Sequence, residues 1–117
     1  MNTKDAVSLF AECAIGKHES IWNEADSDKA NRFALSQIEA VKYLQSKGDV
    51  GRDALRPLLF DARQAVRVSA AVFLLRHCTV EALTVLKRES KGTGFLSFEA
   101  SQALLRWQEG SWALDPL

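Results

Sequence analysis

Only two cysteines, Cys13 and Cys78, occur in the 117 residues, so no disulfide framework holds this chain together. Both fall on or beside the apolar faces of expected helices, where a small buried thiol is the ordinary role. Histidine is equally scarce. His18 and His77 stand far apart, no His/Cys/carboxylate spacing suits zinc, and neither a metal nor a cofactor is expected. No apolar run approaches the roughly 18 residues of a membrane span. Asp5 and Glu12 interrupt the one apolar stretch near the start, which excludes a signal peptide there and makes a reducing cytoplasm the expected compartment. Charge of one sign is also missing: fifteen Lys/Arg balance fifteen Asp/Glu, which argues against a general polyanion binder. Finally, no segment alternates with period two over a strand's length, so the expected fold class is all-α.

What is present suits a soluble globular protein of one domain, with 47% apolar and 26% charged residues. The organising stretch is Ala54 to His77, which reads as two short helices joined at Asp61-Ala62. Leu55, Leu58 and Leu59 form the apolar face of the first; Val66, Ala70, Phe73, Leu74 and His77 form that of the second. Two such helices cannot bury both faces alone and need neighbours stacked on either side. Before them, over residues 1–48, a helix pair is expected. Thr3 caps the first member, with Ala6, Leu9, Phe10, Cys13 and Ala14 inward and Gly16 weakening it. Residues 17–28 are either a frayed continuation or a loop. The second member, opened by Ser27 or Asp28, turns Ala30, Phe33, Ala34, Ile38, Val41 and Leu44 inward and stops at Gly48.

The central hairpin spans 49–78, with Pro57 expected to kink its first helix. A looser copy follows over 79–110. Thr79 caps its first helix, with Leu83 and Leu86 inward and Val80 beside them; Gly92-Thr93-Gly94 breaks the chain; Ser97 caps a last helix carrying Ala100, Ala103, Leu104 and Trp107. Ala54-Leu55 and Leu58 echo Ala82-Leu83 and Leu86 at an offset of 28 residues, and Ala70 and Leu74-Leu75-Arg76 echo Ala100 and Leu104-Leu105-Arg106 at 30. Periods of this size with two helices per unit belong to solenoids. Residues 111–117, with Trp112 and Leu114, are expected to fold back as a cap on the last helix.

Leu58-Leu59, Asp61, Val66-Arg67, Ala70-Ala71 and Leu74 together resemble a HEAT repeat. In that repeat the Asp closes the turn, the Val-Arg opens the second helix and small residues let helices approach closely. Asp61 can accept hydrogen bonds from exposed amides at the next helix start. The resemblance implies an α-α superhelix, a HEAT-like solenoid of about six helices in three antiparallel pairs. The whole chain also resembles a small bacterial family of HEAT-like single domains. The shared features are the helical N-terminal pair, the D-x4-V-R unit, and the E-G-x-W-x-L-D-P ending from Glu109 to Pro116. Its association with toxin–antitoxin and immunity gene neighbourhoods implies a protein partner, a toxin domain being the most specific version.

Candidate chemistry is sparse. His77 and Cys78 are adjacent, but neighbours on a helix point about 100° apart and do not form a ready pair. A helix C-terminus at Cys78 would also disfavour a thiolate, so a structural role is preferred and no enzyme is expected. Gly92-x-Gly94 lacks a preceding strand and a following Lys-Ser/Thr, which argues against a phosphate loop. Two clusters could meet a partner. Arg63 and Arg76 lie off the apolar stripe of the central hairpin, within residues 52–106, where nine Lys/Arg face five Asp/Glu. Trp22 sits among Glu19, Glu24, Asp26 and Asp28, a pattern able to mimic a polyanion or block a basic cleft, if it is not simply a solvated loop with Trp22 tucked inward. The preferred reading is a non-catalytic protein-binding module of the immunity or toxin-neutralising kind. The alternative is a nucleic-acid-binding HEAT-like domain, which the absence of net charge makes the weaker of the two.

Overall fold

The computed structural model describes residues 1–21 and 27–110. Among them are six α-helices and one 3-10 helix, with no strand, so the fold is all-α. The chain divides into two compact units, Met1–Leu55 and Arg56–Leu117. No described helix is long and apolar enough to cross a membrane.

The first unit contains α1 (Thr3–Ile21), α2 (Ser27–Gln45) and the short α3 (Asp49–Asp53). Asn2, not Thr3, caps α1, because its Oδ1 accepts the amide of Asp5 at 2.8 Å. The helix runs straight through Gly16 and on to Ile21, so residues 17–21 continue it. Gly16 has a packing reason. A Cβ there would stand 2.5–2.7 Å from three ring carbons of Phe33, so the missing side chain is what lets α2 press a ring against α1. Ala6, Phe10, Cys13 and Ala14 are buried as their spacing requires, together with Ala11.

The inward face of α2 is rotated from the expected one. Gln37, Ala40, Val41 and Leu44 are buried, whereas Ile38 is 42% exposed and Ala30, Phe33 and Ala34 are half-buried. Hydropathy favoured Ile38 over Gln37, but Gln37 is made tolerable inside by its bonds. Its Nε2 donates to the Phe10 carbonyl at 3.3 Å, and its Oε1 accepts from Lys17 Nζ at 3.1 Å. A buried amide satisfied at both ends escapes the cost of an unpaired one.

The second unit contains the 3-10 helix Arg56–Phe60, then α4 (Gln64–Leu74), α5 (Thr79–Glu89) and α6 (Phe95–Gln108). Helix α4 is central and packs against the 3-10 helix, α5 and α6. Its buried set is Ala65, Val66, Val68, Ala70, Ala71 and Leu74, small enough for close approach on several sides. Leu59, Leu75, Cys78, Ala82, Val85, Leu86, Ala100 and Ala103 are buried with them. The expected first helix of the central hairpin is instead two pieces, α3 and the 3-10 helix, separated by a turn at Ala54-Leu55. Pro57 therefore kinks nothing. It stands in the first turn of a new segment, where its missing N–H has no helical acceptor to lose.

Two expected caps are also displaced. Thr79 Oγ1 donates backwards to the Leu75 carbonyl at 2.6 Å, and Cys78 occupies the N-cap of α5. Gly94 occupies that of α6, leaving Ser97 buried in the first turn. Val80 points outward, 77% exposed. Phe73 and His77 are only half-buried, and Leu58 likewise. A buried Phe cut to Ala costs about 3–5 kcal/mol, so half-burial brings the expected loss for Phe73→Ala down to about 1–2 kcal/mol. Urea titrations should rank it below Leu74→Ala, whose side chain is 1% exposed. The reverse order would place the wrong face of α4 inward.

Candidate functional site

The best-organised polar cluster belongs to the turn between the 3-10 helix and α4. Asp61 ends the 3-10 segment, and its Oδ1 accepts both the backbone amide of Arg63 and Arg63 Nε, each at 2.9 Å. Arg63 Nη2 reaches Oδ2 at 3.1 Å, making a planar two-point pair. Asp61 thus accepts an amide beside the next helix start, as its position in the D-x4-V-R unit suggests. Arg63 in turn is committed to Asp61, with its side chain 53% exposed, rather than standing clear for a partner.

One turn into α4, Arg67 ties this corner to α5. Its Nη1 donates to the carbonyls of Asp61 and Ala62 at 2.9 and 3.0 Å, while Nε and Nη2 converge on Glu89 Oε1 at 3.0 and 2.7 Å. The Arg67 and Glu89 side chains are 21% and 10% exposed, so this pair is largely shielded from water. Arg88 approaches the other carboxylate oxygen of Glu89 at 3.7 Å and remains 56% exposed. At the far end of the 3-10 helix, Arg56 and Glu81 make a second, more exposed two-point pair to α5. Phe60, 72% exposed, ends the 3-10 helix between these links in sequence.

The electrostatics follow from the geometry. The hydrogen bond from the Arg63 side chain holds the Asp61 carboxyl below the ordinary carboxylate range. Burial opposes this, while the Arg63 amide and the charges of Arg63 and Arg67 reinforce it. A carboxylate whose folded pKa is depressed adds stability that is complete above its unfolded pKa, near 3.9, and is lost as pH falls through the lower folded value. Asp61→Asn should therefore narrow its deficit against the parent as the pH drops from about 5 toward 3. A deficit independent of pH in chemical unfolding over that window would rule out an ionised Asp61 as the stabilising form. In the first unit, burial pushes the Cys13 thiol up, as does the neighbouring Glu12, with Lys17 opposing. A thiol held protonated is a poor nucleophile.

Of the sequence-derived candidates, Arg63 and Arg76 do not come together. Arg63 precedes α4 and exposed Arg76 follows it, so the length of that helix, on the order of 20 Å at 1.5 Å per residue, separates them. Asp28 is exposed in the first turn of α2, in the other unit. Trp22, Glu24 and Asp26 lie outside the described residues, as do Trp112 and Leu114 of the expected cap. His77 is half-buried and Cys78 buried, but Cys78 sits where α5 begins, not simply where α4 ends. The helix end nearest it in sequence is thus the positive one, and the dipole argument drawn from sequence has the opposite sign. Among the described residues no group of three or more His, Cys, Asp and Glu could hold a metal ion.

Phe60 and Arg88, which no sequence pattern singled out, stand exposed at this corner, and only the packed structure brings them beside Asp61 and Arg67. Comparison with protein families, curated proteins and solved structures gave no match, so the reading of this corner rests on its own geometry.

Proposed function

We propose that this chain is a non-catalytic protein-binding module built from HEAT-like helical hairpins, and that its partner is another protein. Its most specific form is an immunity or toxin-neutralising role, with a toxin domain as the partner. The supporting observation is the 72% exposed Phe60, presented on a corner that Asp61, Arg63, Arg67 and Glu89 cross-link to α4 and α5. The cross-links fix the turn that carries Phe60, and exposed aromatics with Arg dominate the energetics of protein interfaces. In this reading the turn cations organise the surface and do not carry chemistry.

The test is co-expression of the chain with the product of a gene adjacent to its own, followed by light scattering on the purified material. The expected result is a stoichiometric complex and, where that product arrests growth, restored growth. A chain that stays uncomplexed and protects against none of the adjacent products would remove the immunity reading. The same assay addresses Cys78. Its side chain is buried, so Cys78→Ala should lower the melting temperature modestly while leaving protection intact. Loss of function in a folded Cys78→Ala protein would overturn the non-catalytic assignment.

A further inference from the structure

Beside the corner lies a shallow depression of about 390 Å³ lined by Phe60, Asp61, Ala62, Arg67 and Arg88. We infer that this depression is where the partner docks, and that it takes an acidic segment carrying an apolar side chain. The inference rests on the protein-binding reading above and adds the face and the chemistry of the partner.

Charge complementarity selects the occupant. The ionic groups in the wall are Asp61, Arg67 and Arg88; Asp61 is paired with Arg63 and Arg67 with Glu89, neither partner lining the depression, so these charges are offset. Arg88 approaches Glu89 only at 3.7 Å, and its side chain is more than half exposed. Lys87 precedes it, and Lys91 follows one turn later near the same helix end; both are exposed. Lys87, Arg88 and Lys91 outnumber the acidic Glu89 at this end of α5. The apolar part of the site is Phe60 with Ala62. A carboxylate can therefore meet Arg88 while its neighbouring apolar side chain covers the Phe60 ring, a pairing of charge and aromatic typical of interface hot spots.

A nucleic acid fits less well. A phosphate track needs several unpaired cations in line, and here Arg67 is already paired with Glu89 while the Asp61 carboxylate stands in the wall itself. The one carboxylate in the wall, already paired with Arg63, is tolerable to a short acidic peptide, which can place its charges over Arg88.

The experiment uses the full chain labelled with nitrogen-15 and four probes added separately. They are a pentapeptide with a central phenylalanine flanked by carboxylates, the same peptide with alanine at the centre, a lysine-flanked phenylalanine peptide, and a short DNA duplex. The expected result is that the first probe moves the amide signals of Phe60 to Arg63, Arg67 and Arg88. Binding should weaken about tenfold when the probe loses its phenylalanine or the protein carries Arg88→Gln or Phe60→Ser, and it should weaken further with added salt. Both protein side chains are mainly exposed, so the variants should melt like the parent. Equal binding of the alanine or lysine peptide would overturn the inference, as would tighter binding of the duplex. Shifts confined to α6 or to the first unit would overturn it while leaving the protein-binding reading standing. Failure of every probe overturns the docking site alone, since the complex with an adjacent gene product is measured independently.

Discussion

Arg67→Ala should destabilise the second unit by about 2–4 kcal/mol, a large effect against a typical domain stability of about 5–15 kcal/mol. The substitution removes four hydrogen bonds at once, two to the turn carbonyls of Asp61 and Ala62 and two to Glu89. It also leaves the Glu89 carboxylate, 10% exposed, with only Arg88 at 3.7 Å. Breaking a fully buried pair from one side costs about 3–5 kcal/mol because the orphaned charge stays behind. Residual exposure of both partners lowers that figure, and the lost turn contacts raise it again. Lysine should not rescue the loss. Its ammonium is a single point and cannot span two carbonyls and a carboxylate as the guanidinium fork does. The decisive measurement is a double-mutant cycle with Glu89→Ala in urea. The expected coupling is about 1 kcal/mol or more, since removing both partners leaves no stranded charge. Additive single effects would mean that the two side chains act independently and that the corner is not cross-linked.

Gly51→Ala is expected to be comparably damaging in the first unit, for a steric reason. A Cβ at that position would fall 1.9 Å from the carbonyl oxygen of Leu44 and 2.7 Å from its carbonyl carbon. These are backbone atoms in the last turn of α2, anchored by a Leu44 side chain that is 1% exposed. Nothing flexible can give way, so α3 must lift from α2 as a whole. Overpacking costs about 1–3 kcal/mol, occasionally more, and a clash with fixed backbone belongs at the upper end. Helix propensity acts the other way, favouring alanine by about 1 kcal/mol, and is outweighed. Gly16→Ala is the internal control. Its new Cβ would meet the ring of Phe33, a half-buried side chain able to swing aside, so its cost should be clearly smaller. Circular dichroism melts should rank Gly51→Ala well below Gly16→Ala. A Gly51→Ala protein as stable as the parent would show that α3 does not seat on the end of α2.

The candidate site was partly legible. The D-x4-V-R pattern led directly to Asp61, because a short acidic side chain at a helix start satisfies amides that the backbone leaves open. Which carboxylate Arg67 would find was not legible. Glu89 lies 22 residues away, and only the packing of α4 on α5 brings it within 2.7 Å. Arg63 looked available for the same reason in reverse, since its pairing with Asp61 depends on the turn geometry and not on composition.

By itself the sequence determined the helical class and most of the core. The period of Ala6, Phe10, Cys13 and Ala14, and of Val66, Ala70 and Leu74, marks faces that must leave water wherever they pack. The tertiary structure alone decided the rotation of α2. Burying Gln37 in place of Ile38 is favourable only when Phe10 and Lys17 of another helix are present to satisfy the amide. It also decided the fate of Phe60. An apolar residue is buried only if a neighbouring element reaches it, and none covers Phe60, at the end of the 3-10 helix, which stays 72% exposed. Local pattern fixes which residues prefer to be covered. What covers them, and which polar group each buried donor or acceptor meets, depends on chain segments far apart in sequence, and pattern carries no information about those.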